Sequence, residues 1–505
     1  MNSNFSKITV LLITSFTSLF QVESQTFIGL QHSNLGGIHQ TGLNPANIAN
    51  SRHRMYFNGV TAGFGFDNDY LKLSLPFPFL DLITGDVPSQ YKNSNGGIAF
   101  NENWLTENVN NKSKNMNFYL QTRTPGFMIS LPHDFALGIQ YKNTISFQVN
   151  DVAEPLARLA RYGIDSSSGS ISYSGPNQFQ VGETFGDNAF TVNMNAYGEI
   201  GLTIAKVLVK QDNFVLKAGV TPKMLMGYGS AYIKNRGVLI KAAGTDTIQF
   251  GETDIEYGYT DLSDLQDLNS INIGAIKNKI LGSGFGYDVG VAFEYSPKAL
   301  KNVTNNKNNY LFRGGISLLD AGRIKYKQNM TTTNIRNTTG DKIFVLSPAF
   351  ADAWRVSTDR GLEYTDSTMR TIFDINSADQ STISKLPTTL NIQFDYNVAK
   401  IFYVGANLSQ DLRGKKAIGS RRQSYLVVIP RLESRFVELS FPTGFMNDYK
   451  KVRVGMFLRL GPVFVGSDNL IGQLKSNNIS GTDLYFGLSF GILKKKDKEE
   501  TSSME

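Results

Sequence analysis

The sequence predicts an all-β chain closed into a transmembrane barrel of about fourteen antiparallel strands, and three observations carry that prediction. Apolar and polar residues alternate with a period of two over runs of 11 to 15 residues. Soluble sheets usually hold strands of roughly 5–6 residues, whereas a tilted strand needs about 9–11 to cross a bilayer. The polar face of these runs carries charge that a soluble core could not accept unpaired. Short and long connections also take turns along the chain, as in outer-membrane barrels with tight turns on one side and long loops on the other.

Composition fits. Among 505 residues there are 47 glycines, 11% aromatics and no cysteine. Beyond the N-terminal region no apolar run approaches the roughly 20 residues of a membrane-crossing helix, which excludes a helical bundle. The absence of cysteine excludes disulfides and thiol catalysis. A net charge of +7 spread over so long a chain gives no reason to expect a nucleic-acid partner.

The elements follow in order. Lys7, the apolar run "ITVLLITSFTSLF" and then Val22 and Ser24 before Gln25 read as a secretory signal peptide over residues 1–24, the weaker alternative being a membrane anchor. Residues 25–53 hold a turn at Asn44, Pro45 and Ala46 and a short helix-like piece. Pro45 fixes its own φ and biases Asn44 away from the helical region, a natural helix entry. This compact segment precedes the first strand on the tight-turn side, so it is expected to sit in the lumen mouth as a plug; the alternative is a loose tail.

The barrel is expected over 54–493, with strands near 54–73, 116–131, 135–149, 188–208, 213–232, 283–296, 309–327, 387–398, 401–411, 422–430, 434–441, 450–460, 462–468 and 482–493, and a polar tail over 494–505. Both chain ends then lie in the periplasm.

Parity assigns the faces. In "FGYDVGVAFEY", Phe285, Tyr287, Val289 and Val291 face lipid, while Gly290 points inward, where Ser should be milder than Arg at Val289 or Val291. The same reasoning turns Lys142, Glu199, Lys217, Lys223, Asp288, Glu294, Arg313, Asp395, Arg453 and Arg459 into the lumen. Both signs are present, so these groups either pair with one another and with the plug or bind a solute; an anion pore would need a more lopsided ring. In "FVLKAGVTPKMLMGY", Pro222 interrupts the lipid face, and a closed barrel has no free edge on which to hide the missing N–H. A bulge or kink is expected there, either opening a gap in the wall or merely turning Lys223 inward.

The Asn44-Pro45-Ala46 motif before the first strand resembles the N-terminal region of the long-chain fatty-acid transporter superfamily of fourteen-stranded outer-membrane barrels. The stretches "GSGFGYDVGVAFEY", "FRGGISLLDAGRIKY", "KLPTTLNIQFDY", "VIPRLESRFVELSFP", "GMFLRLGPVFVGSDNL" and "DLYFGLSFGI" are similar to an uncharacterised outer-membrane family with a domain of unknown function. The resemblance implies a hatch inside the barrel for residues 25–53. It also implies passive passage of a small apolar or amphipathic solute. The competing expectation is a non-transporting scaffold that binds a surface or secretion-system protein. A continuous apolar tunnel would favour the first, and a filled lumen with an apolar patch on the loops the second.

Enzyme chemistry finds no constellation. His32, His39, His53 and His133 lack metal-ligand or triad spacing. The strings "GFGFDN" and "GSGFGYD" lie within alternating strands and lack the strand-to-helix context of a nucleotide site. Asp261, Asp264 and Asp267 lack a calcium-loop pattern. No cofactor is expected; outer-membrane lipid is.

Overall fold

A computed structural model of the chain describes residues 27–494 except 79–80, 82–84, 95–96, 163–181, 183, 187, 245–246, 261–279, 298–309, 328–329, 339, 346–348, 350–351, 353–357, 376–380 and 471–477. The expected signal peptide, all of the expected tail but Lys494, and the aspartates at 261, 264 and 267 lie outside the described residues.

Fourteen strands make the wall. They are β1 (His53–Asn68), β2 (Lys114–Ser130), β3 (Phe135–Val152), β4 (Phe190–Lys210), β5 (Phe214–Ala242), β6 (Gly282–Tyr295) and β7 (Phe312–Tyr326). There follow β8 (Thr389–Ala399), β9 (Phe402–Asp411), β10 (Tyr425–Glu433), β11 (Val437–Ser440 with Thr443–Met446), β12 (Lys451–Val454 with Met456–Leu460), β13 (Val463–Ser467) and β14 (Gly481–Leu493). Each runs antiparallel to the next, and β14 returns to β1 from His53↔Leu493 to Asp67↔Gly481. Closure leaves no edge on which a row of backbone groups would go unpaired.

His53 and Leu493 lie side by side, so the chain's two ends share one end of the barrel. The tight turns lie there too. Between β2 and β3, His133 and Asp134 both have left-handed φ, 59° and 60°, the backbone of a primed hairpin turn. Near this end the outer surface carries packed aromatics: Phe214 on Phe293 at 6.2 Å, Phe293 on Phe312 at 6.1 Å, Tyr295 on Phe312 at 5.0 Å and Phe312 on Phe394 at 6.3 Å. Such a girdle marks a membrane–water interface. On β6, Phe285, Tyr287, Val289 and Val291 are exposed on the outside, whereas Asp288 and Glu294 are buried within.

At the opposite end two expected boundaries move. β5 continues past Tyr232 to Ala242 and pairs with Thr247–Thr260, which in turn pairs with Met330–Asn337 and Lys342–Val345. Stretches read as loop therefore form a raised sheet. Its core is Val238, Ile240 and Ala242 with Leu159 from the helix Glu154–Tyr162, a short apolar cluster beyond the membrane band. The first strand ends at Asn68, and Leu71–Ser74 turns off to pair with Leu105–Glu107 and Asn478–Ile479.

Candidate functional site: the filled lumen

Residues 27–52 lie inside the barrel as three short helical turns, Ile28–His32, Gly37–Gly42 and Pro45–Ile48, nearly all buried. Asn44 starts the last of them. Its backbone is extended at φ −161°, its Oδ1 accepts from the Ala46 N–H at 2.9 Å, and Pro45 occupies the first helical position. Its Nδ2 donates to the carbonyls of Val291 at 3.0 Å and Ile316 at 3.2 Å, paired residues of β6 and β7.

The wall is thinned to receive this turn. A β-carbon on Gly219 would lie 2.5 Å from the Pro45 carbonyl carbon, and one on Gly290 would lie 2.3 Å from Asn44 Oδ1. A Ser at Gly290 would therefore meet the segment's own turn, which occupies the inner face at this point.

The stopper also rests on apolar wall residues. Phe27 and Leu30 pack on Phe457, Phe464 and Tyr485; Ile28 packs on Tyr425, Val427, Ile429 and Met446. Ile38, Ile48 and Ala49 pack on Tyr56, Met128, Ala136, Ala205 and Val207. On β10 both faces are therefore apolar, with Val427 and Ile429 inward and Leu426 and Val428 outward.

The ten charged residues picked out by parity all lie on the inner face, and they gather into separate groups. Nearest the chain ends, Lys217 Nζ meets Glu294 at 2.6 Å, and Asn50 of the stopper donates to the same carboxylate at 2.8 Å. Arg313 and Arg431 reach Asp395 at 3.3 and 2.8 Å, and Arg459 reaches Glu438 at 3.2 Å. The stopper enters this group through Arg52 on Glu433 at 2.7 Å, the Asn34 N–H on Glu433 at 3.1 Å and the Ser33 hydroxyl on Glu438 at 2.6 Å. Further along, Lys223 lies 2.8 Å from Asp288 and 3.6 Å from Glu199, and it pairs with Asp320; Lys142 pairs with Glu199. Arg453 stands apart with Asp67, at 2.9 Å.

Sequence reasoning missed Arg431, Glu433, Glu438 and Asp320. The strand expected over 422–430 runs on to Glu433, and because both of its faces are apolar before that point, nothing in the pattern marks Arg431 and Glu433 as inward. Asp320 sits where the β6–β7 register shifts, with a left-handed φ of 53°, and such a bulge breaks the parity on which the reading depends.

Three of the four histidines belong to this interior. Burial pushes the His32 imidazole down to about 3, with nearby Asp395 opposing the shift and Arg431 and Arg313 adding to it. Burial also holds His39 well below its ordinary value, and Arg123 adds to that. His39 packs edge-on against Tyr56 at 6.0 Å and Phe464 at 5.8 Å. Among the described residues no group of three or more His, Asp or Glu is placed to hold a metal ion.

No bulge forms at Pro222. β5 stays in register with β6 through Tyr287↔Pro222, and it pairs with β4 at Gly201↔Lys223 and Ile204↔Val220 on either side of the proline. What is lost is the two rungs between, where Leu202 and Thr203 have no ladder partner. The Thr203 and Thr221 hydroxyls meet there at 2.8 Å. The missing N–H costs wall hydrogen bonds on one side without inserting a residue. The register shifts of this strand pair lie at Ala196/Tyr197 and Val207/Val209 instead.

Small cavities lie among the described residues. A cavity among Tyr119, Tyr197, Glu199 and Arg422 encloses about 10 Å³, and one among Asp67, Tyr425 and Arg453 about 30 Å³, room for water and nothing larger.

A closed antiparallel barrel with a greasy exterior and an ordered N-terminal stopper defines an outer-membrane-type barrel. The chain matches a family of unknown function (DUF5723) over residues 45–468 and belongs to it. No curated protein matches it in sequence. Among solved structures it aligns with the TodX monoaromatic hydrocarbon channel deltaS2 mutant at 9% identity and a TM-score of 0.37, over 91% of this chain and 95% of that one. It aligns with a FadL homologue from Pseudomonas aeruginosa at 10% identity and a TM-score of 0.24, over 88% and 91%. Scores this low do not speak to cargo.

Proposed function

We propose that the protein is a gated passive channel of the outer membrane, closed at rest, that admits a small apolar or amphipathic solute when the N-terminal stopper shifts. The observation that carries this reading is the match between stopper and wall. Ile28, Leu30 and Ile38 rest on inward-facing apolar wall residues such as Val427, Ile429, Phe457 and Met128, so displacing the stopper would bare an apolar lining. The paired lumen charges would keep that path from being purely greasy, which fits an amphipathic cargo. The chain ends and tight turns face the periplasm in this reading, the mature chain starts near Gln25, and the two unpaired rungs at Pro222 supply a side exit into the membrane. The test is solute uptake by vesicles holding a chain without residues 27–50: faster uptake of an apolar probe supports the channel, and an unchanged rate opposes it.

A second reading rests on the raised sheet. Leu239, Ile343 and Val345 are exposed on it, beyond the barrel wall, and would suit a scaffold for a surface or secretion protein. Trimming the turn between β5 and Thr247–Thr260 separates the two, since a channel would keep its uptake and a scaffold would lose its partner.

A further inference from the structure

The lumen is blocked a second time, at the end away from the chain termini. The connection from β9 to β10, residues 412–424, does not rise into the loops but runs inward across the barrel. In the ring of fourteen, β10 and β3 lie seven strands apart, so the segment reaches the opposite side of the barrel. Ser420 Oγ meets Ser146 Oγ of β3 at 3.0 Å, the Arg421 N–H donates to Gln148 Oε1 at 2.9 Å, and Gln148 Nε2 donates back to the Arg421 carbonyl at 2.6 Å. On β4, the Gly419 N–H donates to Asn193 Oδ1 at 2.9 Å, and the Thr191 hydroxyl donates to the Lys415 carbonyl at 2.7 Å.

Two arginines latch this strap. Arg421 holds Asp411 at its own root at 2.7 Å and Asp448 at 2.6 Å. Arg422 reaches Asp320 at 2.8 Å and so joins the Lys223 group. The stopper is seated by three apolar clusters; the strap sets one apolar side chain, Ile418, against the cluster that holds Tyr197, Leu225 and Leu386 and otherwise meets the far wall through polar side chains and its own backbone. Water can replace such partners on release, whereas bared apolar surface has no such substitute.

We propose that residues 412–424 are an outer gate: a hinged strap rooted in β9 and β10, latched by Arg422 on Asp320, that must leave the far wall before solute reaches the stopper. The role rests on the channel reading above, but the barrier itself is testable without it. The sequence marks the segment only by its basic run, Arg413, Lys415, Lys416, Arg421 and Arg422.

The chain has no cysteine, so single thiols report cleanly. Thr144 is buried on the inner face of β3, one inward position nearer the chain ends than Ser146. In intact cells a charged, membrane-impermeant maleimide should label Thr144→Cys slowly. Labelling should rise by about tenfold or more when residues 412–423 are replaced by an Asn-Gly hairpin turn, the expected response of a site whose exposure required local opening. Equal labelling in the two chains overturns the gate.

A second pair of variants covers failure of the shortened chain to assemble. Ser146→Cys with Ser420→Cys should form a disulfide that ties the strap to the far wall. Oxidised barrels, with the bond verified by mass, should pass no apolar probe and recover on reduction. Uptake that proceeds equally fast in the oxidised and reduced barrels overturns the gate. Accelerated labelling with no uptake in the reduced form supports the outer barrier and counts against the channel.

Discussion

A β-carbon placed on Gly290 would stand 2.3 Å from the side-chain oxygen of Asn44, although the two residues are 246 positions apart in the chain. The wall has given up a side chain where the stopper needs its closest approach. Gly290→Ala should therefore loosen the stopper, by about 1–3 kcal/mol if the clash behaves like ordinary overpacking. Gly237→Ala, with nothing within 4 Å, should not. Protease sensitivity of residues 27–52 in folded barrels reads the difference. Equal resistance in both variants would mean that the contact is not a seat.

The same strand tests the lipid face. Val289 and Val291 point outward, so Arg at either should cost about 2–4 kcal/mol near mid-membrane and lower the urea midpoint of folding into bilayers. Full tolerance at both would place the membrane elsewhere on the barrel.

How far the sequence carried can be judged on these strands. Where one face is greasy and the other charged, as on β6, alternation located the strand, its orientation and its inward charges. It failed where the physics supplies no contrast. On β10, Val427 and Ile429 face inward to meet Ile28, so both faces are apolar and parity says nothing. The raised sheet was invisible because its strands lack the uniform apolar face that lipid demands. The seating of Asn44 on β6 and β7 depends on contacts hundreds of residues apart, which no local pattern encodes.

Arg431 has no exposed surface and faces three carboxylates: Asp395 at 2.8 Å, Glu433 at 3.2 Å and Glu438 at 3.9 Å. Arg431→Met should leave them short of a counter-charge and destabilise the barrel by about 3–5 kcal/mol, as removal of one member of a buried ionic group does. Combining it with Asp395→Asn should recover part of the loss, measured as the difference between unfolding midpoints. A single mutant with wild-type stability would show that the group is not a unit.

Stopper docking should depend on pH. His32 is pushed down to about 3 and His39 also lies well below its ordinary value while docked, whereas a released imidazole takes up its proton near pH 6.5. Protons therefore favour release. Docking is strongest above about pH 6.5 and weakens as pH falls toward 3, by up to about 1.4 kcal/mol per pH unit for each histidine. Protease access to residues 27–52 should rise from neutral to mildly acid conditions, and His39→Phe should reduce that slope. A slope of the opposite sign would contradict the burial of these rings.

Pro222→Val restores an N–H opposite the two unpaired rungs of β4 and should raise the unfolding midpoint. If solute leaves sideways at this point, uptake of an apolar probe should fall while assembly is unchanged. Undiminished uptake with a restored ladder would remove the side exit and leave the rest of the channel in place.

The central claim is that solute passes only when the stopper moves, and a tether tests it most directly. The amides of Asn47 and Gln393 bond reciprocally at 3.1 and 2.9 Å, across the boundary between stopper and wall. With both replaced by cysteine in a chain that has no other, a short reducible bis-thiol cross-linker can fix the stopper and later release it in the same vesicles. The account predicts that cross-linked barrels, verified by mass, pass no apolar probe and regain the rate of the untreated double variant on reduction. Passage at the same rate before and after reduction would contradict it.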